Sequence, residues 1–394
     1  MSHVYGAVLI FLTIGCALDS GSRFIFFLAV YTSAFFISYF LLDYLLQSDI
    51  LRIKNFQSAF RKIALPKTDI PALLLFALVC LFIVAHFILL KGVPTISAWQ
   101  SHNSFDIYGM RRSVTYDSPL LINYLKSFIL KAVIPFLLIL FYRKEKPLFF
   151  IPVFVICIFY CISLIAKSPV VTAVVPLLIL SLMMKKYFQF ILFSVIVFIS
   201  LNFLVFVANP SLRGGDTYLP KEIQAVPTES EIGASVTALG NRTFFLPGKI
   251  VSDWFRVIPS QKPFLHGNGY HFIASLKGTK FRDYSTELYP VIFPQYAARG
   301  YAGSVNSASF MYDYANFGVV GLIYSAVLLS LIFVFINFLF AENNRMKFCI
   351  NFFPILFLSS SSLFTLLFSG GWGLLILLFL LFRKDFESQT FYAS

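Results

Sequence analysis

Ten stretches of this chain approach or exceed the roughly 20 apolar residues needed to cross about 30 Å of hydrocarbon. They fall at residues 4–18, 24–46, 71–90, 124–142, 148–165, 169–184, 188–207, 315–340, 348–367 and 371–382. Lipid offers a backbone no hydrogen-bonding partners, so spans of this kind fold as helices. The expected fold is therefore all-α: a polytopic integral membrane protein of about ten transmembrane helices. Composition agrees, with 58% hydrophobic residues, 49 phenylalanines and only 12% charged residues, where soluble domains hold about a quarter. The first run, within MSHVYGAVLIFLTIGCALDS, lacks a positive leader region and an A-x-A cleavage site, and reads as a retained helix. The turn Ala166-Lys167-Ser168-Pro169 predicts a tight hairpin between the fifth and sixth runs.

The net charge of +13 finds its explanation in loops. Arg52, Lys54, Arg61, Lys62 and Lys67 follow the second run; Arg143, Lys144 and Lys146 the fourth; Lys185 and Lys186 the sixth; Arg345 and Lys347 the eighth; Arg383 and Lys384 the tenth. Ten alternating helices put all of these on one side, which the positive-inside bias makes cytoplasmic, together with both termini. No basic run exceeds a dipeptide, and nucleic acid is not expected as a partner. The chain then divides into helices one to seven (1–207) with a small external loop at about 91–123, a large external loop (208–314), and helices eight to ten with the C-terminus (315–394). A loop of that length is functional or disordered, and its many Tyr, Phe and Trp residues argue for order. Within it PGKIVSDWFRVIP predicts a short amphipathic helix, with Ile250, Val251, Trp254 and Phe255 on one face and Lys249, Asp253 and Arg256 on the other.

The external segments hold Arg111, Arg112, Arg213, Arg242, Arg256, Arg282 and Arg299. Guanidinium groups bind phosphate in a two-pronged fashion. The set fits an anionic ligand; singly, each arginine is better explained by lipid headgroups or by pairing with Asp106, Asp117, Asp253 or Asp283. His266 and His271 bracket Gly-Asn-Gly in LHGNGYHF, a spacing unsuited to zinc, and serve either as bases or donors or as parts of a glycine turn. His86, inside a predicted span, suits a helix–helix hydrogen bond. The five cysteines read as small apolar residues, and no acidic cluster indicates a metal. If 304–330 is one helix, Asn306, Ser309, Asp313 and Asn316 stack on one face, with Gly318 and Gly321 below them for close packing. Tyr312, Tyr314 and the other external aromatics fit either the bilayer interface or a sugar. Walker, Rossmann, G-x-S-x-G and HExxH motifs are absent.

One layout links YGMRR, YLKSFILKAVIPFLLIL, AKSPVV, NRTFFLPGKIVSDWF, FLHGNGYHF and GSVNSASFMYDYANFGVVG, across roughly residues 100–330. It resembles the Wzy-type oligosaccharide repeat-unit polymerases (O-antigen polymerases) of Gram-negative envelopes. The resemblance implies an inner-membrane glycosyltransferase that joins undecaprenyl-pyrophosphate-linked oligosaccharides at the periplasmic face, without metal or other cofactor. A separate chain-length regulator is an expected partner beside the membrane lipids. Carried over, Arg242 and Arg299 best match the arginines that hold the pyrophosphate, Arg111 and Arg112 match more loosely, and His266 or His271 lies where the related O-antigen ligases use a histidine. His266, His271 and Asp313 are the candidate bases; Arg256, Asn306, Tyr312 and Tyr314 are candidate substrate contacts. The alternatives are an O-antigen ligase and a lipid-linked oligosaccharide flippase.

Overall fold

The computed structural model describes residues 1–47, 64–114, 118–210, 245–298, 300, 303–341 and 343–387. Among these residues the chain is all-helical, without a strand. Seven helices are long and apolar enough to cross a membrane: Ser2–Ser20, Ile25–Leu46, Ile70–Leu89, Leu120–Arg143, Tyr187–Ala208, Val319–Leu339 and Leu363–Leu381. Pro147–Ser163 and Lys167–Met183 are as apolar, but at 17 residues each they reach only about 26 Å. The apolar run 348–367 does not form one span: Asn344–Phe357, with Pro354 inside it, stops short, and a new helix starts at Leu363. The hairpin at Ala166–Pro169 does form. Ile165 turns the chain at φ 57°, and Pro169 sits in the first turn of the next helix, where its missing N–H costs nothing.

The described residues make two compact units. The first is drawn from Met1–Asn55, Thr228–Leu339 and Pro354–Leu366. In it Ile25–Gln47 runs along Val319–Leu339, and Ser2–Ser20 packs on the helix Leu246–Val257. Lipid gives helices no hydrophobic reason to associate, so the contacts depend on packing and polar links. The Tyr5 and Tyr31 hydroxyls meet at 2.7 Å, the Ser330 hydroxyl donates to the Phe35 carbonyl at 2.9 Å, and the Asn337 amide donates to the Tyr39 hydroxyl at 2.7 Å. Tyr5, Phe35 and Phe333 interlock edge to face. Gly248 brings Leu246–Val257 down on the first helix: a Cβ there would lie 2.6 Å from the Gly15 Cα and from the Leu12 carbonyl oxygen. Gly248→Ala is expected to cost about 1–3 kcal/mol through this overlap, read as a lower Tm of the detergent-solubilised protein.

The second unit is drawn from Phe56–Pro227, Phe340–Phe353 and Leu367–Ser394. His86 Nδ1 lies 2.8 Å from the Tyr160 hydroxyl, the interhelical hydrogen bond its position suggested. Lys144 sits 3.0 Å from both Asp69 and Asp385, and Arg143 donates to the Phe386 carbonyl, so two loop cations fasten the ends of three helices. The span Leu120–Arg143 is not uniformly α-helical: Ile129–Val133 forms a π-turn. The cysteines among the described residues are free thiols.

Candidate functional site

The stretch 304–330 is not one helix. Residues 303–308 form no helix, Ser309–Phe317 is helical, Gly318 breaks the helix at φ 63°, and Val319–Leu339 begins a separate one. A backbone of this kind favours glycine. The second helix then passes so close to the first that a Cβ on Gly321 would fall 2.0 Å from the Asp313 carbonyl oxygen. The predicted four-residue stripe is corrected accordingly. Asn306 precedes the helix and is exposed, whereas Ser309, Asp313 and Asn316 are buried.

Asn316 organises the glycine loop. Its side-chain oxygen accepts from the Gly267 and Gly269 N–H groups at 3.1 and 3.0 Å, and its amide nitrogen donates to the Tyr312 carbonyl. The Leu265 and His266 N–H groups donate to the carbonyls of Ala315 and Asn316. These bonds satisfy the carbonyls that a helix end leaves without intrahelical partners. Gly267 has φ 95°, and a Cβ on Gly269 would stand 2.6 Å from the Asn316 amide nitrogen, so the glycines of LHGNGYHF serve this wrap. Asn316→Ala strands two N–H groups, one buried and one partly buried. It is expected to destabilise the protein by about 1–3 kcal/mol, measurable as a fall in Tm with faster hydrogen exchange at Gly267 and Gly269.

The wrap carries Tyr270 to Asp313, whose carboxylate accepts the tyrosine's hydroxyl proton in a short hydrogen bond. Asp313 is 3% exposed. Burial pushes its pKa up to about 6, against the Ser325 and Tyr270 hydroxyls that hold it down. The Tyr270 pKa is raised too, first by burial and then by Asp313. Its ring, half-buried, stacks near Phe317 and meets Phe364 edge-on. The result is a half-buried tyrosine whose hydroxyl is backed by a desolvated carboxylate with a pKa of about 6, an arrangement able to accept a proton and pass it inward.

The remaining candidates take other places. His266 is exposed at φ 49°, and its carbonyl accepts from Lys277. His271 is exposed too, stacked on Phe281 at a 3.5 Å ring separation; Asp313 takes its hydrogen bond from Tyr270 rather than from either imidazole. The Leu246–Val257 helix forms with Val251, Trp254 and Phe255 inside, as predicted, but Ile250 is only partly buried and Asp253 is buried as well. Lys249 at 2.7 Å and Arg256 at 2.9 Å neutralise Asp253, which makes its burial tolerable. Arg256 also reaches Asp19 at the end of the first helix, at 2.8 Å, so it is already engaged in an intramolecular network. Tyr314 is a core residue, its ring among Phe27, Phe255 and Phe264 and its hydroxyl directed at the Ile258 carbonyl. Tyr312 packs edge-on against Trp254. Arg282 forks onto Glu287.

Arg111 and Arg112 end the helix Ser104–Arg112 in the second unit, and burial lowers the Arg111 pKa. Arg242, Arg299 and Arg213 lie outside the described residues. Among the described residues no three of His, Cys, Asp and Glu gather in a group able to hold a metal ion. Sequence reading counted Tyr270 only as one of the many loop aromatics and did not name Asp19 or Ser325. The one available signal was that Tyr270 stands inside the glycine motif already noticed for its histidines. No protein-family model, no curated protein and no solved structure matches this chain.

Proposed function

We propose that this protein is a glycosyltransferase of the bacterial inner membrane, with both termini cytoplasmic. It polymerises undecaprenyl-pyrophosphate-linked oligosaccharide repeat units into O-antigen-type polysaccharide at the periplasmic face. The observation that carries the reading is the Tyr270–Asp313 pair: a base with a pKa of about 6, beside the start of a membrane-spanning helix, where a lipid-linked sugar presents its hydroxyl groups. The motif layout supplies the substrate class. Tyr270 takes the proton of the acceptor hydroxyl as its own proton passes to Asp313. The acceptor oxygen bonds the anomeric carbon of the donor glycan, the carbon–oxygen bond to pyrophosphate breaks, and the anomeric configuration inverts. Arg242 and Arg299 neutralise the departing pyrophosphate. A chain-length regulator acts as a separate partner.

Elongation of a purified lipid-linked repeat by the isolated protein, with and without chelator, tests this directly. A ladder of products in both conditions is expected. Failure to elongate while the repeat is transferred to lipid A-core would replace the polymerase with a ligase. The pH dependence gives a second test. A base of pKa about 6 loses its charge as pH falls through that value, so kcat is expected to drop close to tenfold per pH unit below 6 and to level off above 7.

A further inference from the structure

The short helix His271–Leu276 is built inside out. Of its residues only the small Ala274 is buried, while Phe272 and Leu276, one turn apart on the opposite face, are 74% and 72% exposed. A helix that meets water carries the reverse pattern, large apolar residues inward and polar ones outward. The surrounding loop is braced. The Arg282 N–H donates to the Asn268 carbonyl at 3.0 Å and closes the base of the 268–282 segment. The Thr279 hydroxyl donates to the Asn268 side-chain oxygen at 2.7 Å, and the His271 ring stacks on Phe281. Closed surface loops of this size pack on their own side chains, so Phe272 and Leu276 are held outward.

The loop stands at the end of a span. The Leu265 and His266 N–H groups bond its stem to Ala315 and Asn316, and the span Val319–Leu339 follows directly after Gly318. Along that span Val320, Ile323, Tyr324 and Val327 are exposed, the face that such a helix gives to lipid. Phe317, just before the span, is exposed as well, and Tyr270 stacks on it immediately before the short helix begins. The exposed pair therefore adjoins a lipid-facing surface. Charge points the same way. From Ile258 to Arg282 there is no Asp or Glu, and the ion pairs among the described residues do not include Lys262, Lys277 or Lys280. Exposed aromatic and aliphatic side chains beside lysines suit a bilayer surface, where the apolar groups enter and the ammonium groups reach back to the headgroups.

We infer that the His271–Leu276 helix docks on the lipid bilayer, with Phe272 and Leu276 inserted at the headgroup–acyl boundary of the leaflet where Val319–Leu339 begins. The partner is the bilayer surface rather than a single bound lipid, and the assignment does not depend on the chemistry of Tyr270 and Asp313. The contact fixes the depth of Tyr270, two residues from Phe272, relative to the membrane. The test places a tryptophan at Phe272 in the full chain, reconstituted in vesicles of phosphatidylcholine brominated on the upper acyl chain. Val320→Trp, at the start of the span, and Val327→Trp, farther in, calibrate depth in the same leaflet, and the parent gives the background of its own three tryptophans. Phe272→Trp is expected to be quenched about as strongly as Val320→Trp and to be shielded from aqueous acrylamide. Adding Leu276→Ser is expected to cut the bromolipid quenching about twofold, because both side chains share the inserted face. In vesicles with added phosphatidylglycerol, deeper quenching supports the docking and gives the lysines a part in it; unchanged quenching supports it and leaves it to the apolar pair. A Phe272→Trp side chain that acrylamide reaches and bromolipid does not overturns the proposal. Shielding from both quenchers overturns it too, and assigns the face to a second protein chain. A Tm equal to the parent's shows that each variant folds.

Discussion

Asp313→Asn is expected to slow elongation by about 10²–10⁴-fold, the range over which a positioned base contributes, while the protein stays folded. The amide can still accept the Tyr270 hydrogen bond but cannot take its proton. Tyr270→Phe removes the other half of the relay and is expected to cost a comparable factor. If the two act as one unit, the double variant is no slower than the slower single one, because the pathway is already lost. Multiplicative losses, or full activity of either single variant, would remove the relay from the mechanism. Stability offers a control with a defined sign. The folded pKa of Asp313, about 6, lies above its ordinary value of 3.8. The native state therefore binds the extra proton between those values, and stability falls as pH rises from about 4 to about 6, then levels off. The shift corresponds to something on the order of 3 kcal/mol. Asp313→Asn abolishes this slope, so its Tm at pH 7.5 is expected to equal or exceed that of the parent, and the advantage disappears near pH 4.

Gly321→Ala is expected to be the most damaging single-methyl change in the first unit. The added Cβ would stand 2.0 Å from the Asp313 carbonyl oxygen and 2.5 Å from its carbonyl carbon, both backbone atoms that cannot turn aside. Overpacking typically costs about 1–3 kcal/mol, with larger values where nothing can yield, and this position belongs at or above the top of that range. The measurements are the Tm and the monodisperse fraction in detergent. The same shift of the Ser309–Phe317 backbone displaces Asp313, so activity is expected to fall further than stability alone accounts for. A Gly321→Ala protein with an unchanged Tm would show that the two helices do not approach as described.

The count of about ten membrane helices was not legible in the sequence: seven helices among the described residues are long and apolar enough to cross a membrane. Most spans were legible, because hydrophobicity is carried residue by residue and needs no partner to be seen. The same holds for the amphipathic Leu246–Val257 helix, whose apolar spacing alone placed Val251, Trp254 and Phe255 inward. His86 was read as a helix-linking residue because an ionisable group inside a span needs a polar neighbour, and Tyr160 provides it. The reading failed where glycine chooses between two roles. Gly318 and Gly321 looked like packing residues within one continuous helix, but Gly318 turns the chain and Gly321 lets the two resulting helices pass. A left-handed backbone conformation leaves no trace in composition, so Asn306 was stacked above Asp313 on a helix that stops short of it.

What the sequence by itself determined is an all-helical membrane protein with several membrane-spanning helices. Those properties follow from apolar run length and local periodicity. Tertiary structure alone decided that Asp313 is a buried carboxylate hydrogen-bonded by Tyr270, 43 residues away, and that Arg256 is tied to Asp19, 237 residues away. A carboxylate's pKa depends on what excludes water from it and on which hydroxyl or cation faces it. Folding sets both, through contacts between residues far apart in the chain.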